Sequence, residues 1–166
     1  MSKRRFRTIG SAFFRSRTPT VRLPASSLQE MITTAETAFP NESGGILLGH
    51  RQGNDVHVDR AIQVPTQNPS RARYVRSHHA AQKLLDKALR EGTTEHIGWV
   101  GDWHSHPNPS GPSPRDLREI SRLARQDGQA VALVVLVHER DEWSPQARVA
   151  AGGLPRRANV ERALGA

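Results

Sequence analysis

The 166-residue chain contains no cysteine. That excludes disulfides, thiol nucleophiles and thiolate-ligated metals, and it fits a cytoplasmic protein. Long apolar runs are missing too. None approaches the roughly 20 residues that a membrane span needs, and no apolar leader precedes a small-residue cleavage site. No membrane partner is therefore expected. Acidic residues are absent from residues 1–22, which carry Lys3, Arg4, Arg5, Arg7, Arg15, Arg17 and Arg22, seven of the eight net positive charges. The remainder of the chain is nearly neutral.

Hydrophobic content of 36% with 24% charged residues describes a globular chain rather than a disordered one. Its length suits one domain with a proper core. The expected division is a basic arm over 1–19, a domain over 20–151 and a C-terminal tail over 152–166. The arm reads as a solvated terminus, with contact to an acidic partner or nucleic acid through residues 1–22 as the alternative.

Periodicity orders the elements. Thr20 to Leu23 reads as a short strand. Leu28 to Phe39 has helical spacing, with Ser26 or Ser27 as N-cap and Pro40 as its stop. Gly44 to His50 and Val56 to Val64 form a hairpin around Gln52-Gly53-Asn54-Asp55. Val56, Val58 and Ile62 are its inward candidates. Pro65 to Ser77 is an irregular polar loop. His78 to Arg90 is an amphipathic helix with Ala81, Leu84, Leu85, Ala88 and Leu89 on its stripe, closed by Gly92; His78 and His79 read as surface residues.

The strand from His96 to His106 follows. Alternation puts Trp99, Gly101, Trp103 and Ser105 on one face and Val100, Asp102, His104 and His106 on the other. Trp99 and Trp103 are the expected core rings. A helix from Asp116 to Gln126 ends at Asp127-Gly128. Ala130 to Val137 is apolar throughout, as in a central strand covered on both faces. A turn at Glu139–Glu142 leads into a strand from Trp143 to Ala151. The tail could add a short helix outside the core. The order β-α-β-β-α-β-α-β-β indicates an α+β fold, helices against a mixed sheet.

Chemistry concentrates in Trp103-His104-Ser105-His106-Pro107 and Ser113-Pro114-Arg115-Asp116. His-x-His on a strand sets both imidazoles on one face. With Asp116 they form a three-ligand set that suits Zn²⁺ and leaves a fourth position for water, whereas a structural zinc site is closed by four protein ligands. Ser113, Pro114 and Asp116 also make a good helix start, with Ser113 as N-cap and Asp116 completing a capping box. Such a cap aims both side chains at the mouth of the preceding strand. Asp102, on the ligand side, reads as a satisfied polar residue or as a carboxylate orienting a ligand imidazole.

His-x-His-Pro followed by Ser-x-x-Asp resembles the signature of the JAMM (MPN+, JAB) zinc metalloproteases. The family's upstream Glu is matched by Asn41-Glu42-Ser43-Gly44-Gly45-Ile46-Leu47-Leu48-Gly49. The resemblance covers about Val21 to Ala151 and is similar to the small prokaryotic JAB proteins, including deconjugating peptidases of antiphage (CBASS) operons. The loop from His106 to Ser113 is one residue shorter than in many relatives. The resemblance implies an MPN/JAB-like fold. It also implies zinc held by His104, His106 and Asp116, with Glu42 as general acid–base and Ser113 polarising the carbonyl. On its own, Glu42 reads as a plain loop carboxylate. The implied partner is a ubiquitin-like protein or a conjugated target, cut after its C-terminus. The alternatives are a non-catalytic MPN scaffold or a peptidase for sulfur-carrier precursors. Family members often contact the substrate tail near Arg71, Arg73, Tyr74 and Arg76; a solvated basic loop is the plainer reading.

Overall fold

The computed structural model describes residues 17–92 and 96–163. Seven strands form a closed barrel in the order β1-β3-β2-β4-β5-β6-β7. They are β1 (Thr20–Pro24), β2 (Gly44–Gln52), β3 (Asp55–Gln63), β4 (Gly98–His106), β5 (Val131–Glu139), β6 (Glu142–Ala150) and β7 (Arg156–Ala163). Among the described residues three helices complete the domain: α1 (Ala25–Ala38), α2 (His78–Glu91) and α3 (Pro114–Asp127). This is an α+β single domain with helices on a mixed sheet. No described helix is long and apolar enough to cross a membrane.

The central strand explains the layering. Every residue from Val131 to Val137 is buried, and alternation deals them to two clusters. Ala132, Val134 and Leu136 face the barrel interior, with Val21, Leu47, Val58, Trp103 and the α1 residues Leu28, Met31 and Ala35. Val131, Leu133, Val135 and Val137 face outward under Ile120 and Ala124 of α3. Helix α2 covers the neighbouring patch on β2, where Ile46 and Leu48 meet Ala81 and Ala88. Helices α2 and α3 thus flank the outer face of β4, and Trp99 touches both clusters at its base.

Strand β4 departs from simple alternation. Its register against β2 slips between Leu47 and Leu48, which pair with Gly101 and Trp99, so Val100 is the extra residue of a bulge. Val100 turns inward beside Trp103, and Trp99 turns outward. The expected faces are corrected at these two residues, while Asp102, His104 and His106 do share the outer face. Gly101 is required there, because a Cβ would lie 2.0 Å from the Ala132 carbonyl oxygen. A similar slip between Leu48 and Gly49 in the hairpin makes Ala61 a core residue beside Val56 and Val58, and leaves Ile62 on the outer cluster.

Other expectations change at element ends. Helix α1 starts after Pro24 without a side-chain cap, and both Ser26 and Ser27 lie inside it. Ser27 instead reaches the Asp59 carbonyl at 3.4 Å. Leu89 is 44% exposed and leaves the apolar stripe of α2. Gly92 closes α2 in an extended conformation, whereas Gly128 caps α3 in the left-handed region at φ 71°. The tail holds a strand, not a helix. Strand β7 pairs in parallel with β1 and antiparallel with β6, and Ala158 and Val160 pack on the interior core. Of the basic arm, residues 1–16 lie outside the described residues; Arg17 pairs with Asp55, and Arg22 with Glu161 at 3.1 Å.

Candidate metal centre

Four segments converge at the C-terminal end of β4. Alternation along β4 sets His104 and His106 on its outer face, and their backbone is held by parallel pairing with Val135 and Val137. The Nε2 atoms of His104 and His106 are 3.0 Å apart. Asp116 brings Oδ1 to 3.5 Å from His104 Nε2 and Oδ2 to 3.6 Å from His106 Nε2. Among the described residues, His104, His106 and Asp116 are the only group of at least three potential donors with ligand atoms within 4.8 Å of one another. A tetrahedral ion with bonds of about 2.0–2.1 Å separates its ligand atoms by roughly 3.3–3.4 Å. The donor set fits a zinc-sized ion.

Asp116 arrives by helix capping. Ser113 precedes α3 as N-cap and Pro114 occupies the first turn. The Asp116 amide donates to Ser113 Oγ at 3.2 Å, and the Ser113 amide donates to Asp116 Oδ2 at 2.7 Å. The shorter loop after His106 therefore still delivers the carboxylate. Burial opposes the charge on Asp116, but the histidine His104 and the bonds from Ser113 outweigh it and hold the carboxyl well below its ordinary range. The Ser113 hydroxyl accepts in the cap, so its own proton is free to donate.

His106 is oriented from behind. Its Nδ1 lies 2.7 Å from the Ser110 carbonyl oxygen, to which only an N–H can donate. That bond puts the lone pair on Nε2, toward the cluster.

Glu42 lies in the turn between α1 and β2, only 8% exposed. Its Oε1 is 3.9 Å from His106 Nε2. Burial raises its pKa, opposed by His104 and His106 and by a hydrogen bond from the Tyr74 backbone. Three bonds from Ser43 hold this turn against β4. The Ser43 amide donates to Ser105 Oγ at 2.9 Å, the two hydroxyls meet at 3.1 Å, and the Ser105 amide donates to the Ser43 carbonyl at 2.7 Å. From the other side, the Glu42 amide donates to the Ser70 carbonyl at 2.8 Å. The structure thus brings together Glu42, His104, His106, Ser113 and Asp116. Sequence reasoning missed Ser43, Ser105, Ser70 and Ser110. Ser105 was visible only as the spacer between two histidines, and backbone carbonyls carry no residue signal.

Asp102 has other partners. Arg76 Nε is 3.1 Å from Oδ2, and Trp99 Nε1 donates to Oδ1 at 3.0 Å. Burial raises its pKa, with Arg76 the main opposing influence. Both oxygens are engaged away from the imidazoles, which supports the structural reading of this residue. The loop residues divide likewise. Arg76 is tied to β4, and the Tyr74 hydroxyl donates to the Val64 carbonyl at 2.6 Å. Arg71 and Arg73 are exposed.

In this barrel-and-helix domain, two histidines and a carboxylate form a possible metal site with a buried acid beside it. The chain belongs to the prokaryotic JAB family: the family model for prokaryotic homologs of the JAB domain matches residues 24–149. A curated relative from Enterobacter hormaechei, named CD-NTase/cGAS isopeptidase, is 27% identical over 123 residues, 71% of this chain and 66% of the relative's length. The match therefore spans slightly less than two thirds of that protein. Among solved structures, a protein from Desulfitobacterium hafniense is similar at TM-score 0.64 and 23% identity, covering 88% of this chain and 94% of that one. A JAB1/MPN domain protein from Archaeoglobus fulgidus is similar at TM-score 0.50 and 20% identity, covering 86% and 98%. These likenesses concern the fold.

Proposed function

We propose that this chain is a zinc-dependent isopeptidase that cleaves after the C-terminus of a ubiquitin-like protein or conjugated partner. The observation that carries the reading is the 3.0–3.6 Å spacing of the His104, His106 and Asp116 donor atoms with Glu42 buried beside them. These three side chains would hold the ion through two neutral imidazoles and one carboxylate. When bound, zinc is a Lewis acid that lets water ionise near neutral pH.

The chain's own groups supply the rest. Glu42 takes the proton from the attacking water and returns it to the leaving amine. Its buried carboxylate, 3.9 Å from His106 Nε2, stands where it can both accept and donate a proton. Ser113 donates its hydroxyl proton to the scissile carbonyl oxygen as negative charge develops; such a donor is worth about 3 kcal/mol. Ser110 keeps His106 in the tautomer that faces the ion.

For the substrate, the relative named CD-NTase/cGAS isopeptidase supports a conjugated protein, such as a modified nucleotidyltransferase in antiphage signalling. An extended C-terminal tail suits a cleft of this kind. The test is cleavage of such a conjugate by metal-loaded protein with and without chelator, alongside the Glu42→Gln variant. We expect Glu42→Gln to bind zinc as tightly as wild type and to lose turnover by about a thousandfold. Chelator-resistant cleavage would overturn the zinc reading, and full activity of Glu42→Gln would remove Glu42 from the chemistry.

A further inference from the structure

A cleft of about 1270 Å³ runs between α2 and α3, across the outer face of β4 and β5, and reaches His104 and Asp116 at one end. Its apolar lining includes Ile46, Leu85, Trp99 and Leu123. Its charges do not cancel. Asp127 is taken by Arg51 at 3.0 Å, and Asp102 by Arg76 at 3.1 Å. Glu119 gives both oxygens to Arg122, at 2.5 and 3.0 Å. Asp116 is committed to the histidine cluster and the Ser113 cap. Every carboxylate that lines the cleft is therefore engaged. Arg73, Arg115 and Arg118 also line it, all three are exposed, and none has an ion-pair partner among the described residues.

These positions are not ones a bare fold would choose. Arg115 sits in the first turn of α3, where the helix dipole already presents positive charge and where cations lower helix stability, and Arg118 follows it by about one turn. A bound divalent cation would add to the same field. We infer that the α2–α3 cleft is a docking groove for an acidic polypeptide segment of the substrate, held by Arg73, Arg115 and Arg118 beside the reacting bond. The proposal deepens the isopeptidase reading and rests on it. A polypeptide fits better than a nucleic acid, because the floor is apolar and the groove leads to an amide-cleaving constellation. Arginine forks match carboxylates in two-bond geometry, and screening by salt weakens such contacts at the rim.

The test measures binding of fluorescein-labelled (Glu-Gly)₃, (Gln-Gly)₃ and (Lys-Gly)₃ by anisotropy, with a 12-nucleotide oligo-dT as competitor. The full chain carries Glu42→Gln to block turnover, so the basic arm is common to every variant. We expect the Glu peptide to bind about tenfold more tightly than the Gln peptide at low salt, with the difference lost near 0.5 M salt. Arg115→Glu with Arg118→Glu should invert the order in favour of the Lys peptide. His104→Ala should keep the wild-type order, since the preference comes from the arginines. Equal binding of the three peptides, an order unchanged by the charge reversal, or an oligonucleotide that binds more tightly than the Glu peptide would overturn the proposal. The two readings fail separately. Chelator-sensitive cleavage without charge preference sinks the groove alone, and an acidic preference without zinc uptake sinks the peptidase reading alone.

Discussion

Ser105→Ala is the substitution that best isolates how the site is held. Ser105 is fully buried between the two histidines and faces away from them. Its hydroxyl is the acceptor for the Ser43 amide at 2.9 Å and meets the Ser43 hydroxyl at 3.1 Å. Removing it strands a buried N–H, which costs about 1–3 kcal/mol, and deletes a neutral hydrogen bond worth about 1 kcal/mol. The substitution also removes the cost of burying a hydroxyl, which offsets part of this. A net loss of about 2 kcal/mol lowers Tm by roughly 4–8 °C in a domain of this size. The histidines stay in place, because their backbone is paired with β5. Zinc affinity should therefore change by less than about threefold, while turnover falls about tenfold as the turn carrying Glu42 loosens. Ser43→Ala is the internal control. It deletes only the hydroxyl contact and should cost about 1 kcal/mol or less. Thermal melts with and without metal, zinc titration and initial rates read all three effects. An unchanged Tm in Ser105→Ala, or a larger loss in Ser43→Ala, would refute the view that this hydroxyl pins the Glu42 turn.

His104→Ala should lose stoichiometric zinc yet give a folded far-UV CD spectrum, because the interior core lies on the opposite face of β4; one-to-one zinc binding by the variant would mean the ligand set is wrong. Arg76→Ala leaves Asp102 with its charge uncompensated and should cost about 2–3 kcal/mol in urea unfolding. Adding Asp102→Asn should recover part of that loss; strict additivity in the double-mutant cycle would show the pair to be uncoupled. For Asp55, burial opposes its charge, but bonds from Arg17 and the Thr20 amide prevail and depress its pKa. A depressed folded-state pKa means the stabilisation is present above the unfolded value, about 3.9, and is lost as pH falls through the folded one. Asp55→Asn should thus cost about 1–2 kcal/mol at pH 7 and progressively less toward pH 2, read from urea melts across that range.

Where one side chain decides an element by local chemistry, the fold was legible from residues alone. Pro40 and Gly128 end their helices, Ser113 starts one, and the uniform burial of β5 follows from its unbroken apolar run. The misreadings all come from tertiary choices. Alternation cannot see a bulge, so Trp99 and Val100 exchanged faces at a point where Gly101 must let β5 approach. Residues 156–163 contain four charged groups and look like a free tail. They become a strand because β1 and β6 leave an edge open and Ala158 and Val160 alone face inward. At the site, spacing could suggest which residues meet, but not what holds them. The tether from Ser105 to Ser43, 62 positions apart in sequence, and the Ser110 carbonyl behind His106 are properties of the folded backbone.

Asp116 shows why a structural and a catalytic reading of one motif need not compete. A carboxylate has two oxygens and several lone pairs. Oδ2 accepts from the Ser113 amide at 2.7 Å and still faces His106 at 3.6 Å, while Oδ1 faces His104 at 3.5 Å. The cap thus fixes the rotamer of a ligand before any ion arrives. A freely rotating aspartate at an exposed helix start would have to be ordered by the metal, at the expense of affinity. Here the ordering is done by the capping box, which itself stabilises α3 by about 1 kcal/mol. The same geometry turns the Ser113 hydroxyl into a group whose acceptor side is occupied and whose proton is available. In the proposed mechanism, one turn of helix therefore sets the third ligand and aims the carbonyl donor. The three-residue spacing of Ser113 and Asp116 is that of the capping box, and the proposed metal centre uses the same spacing.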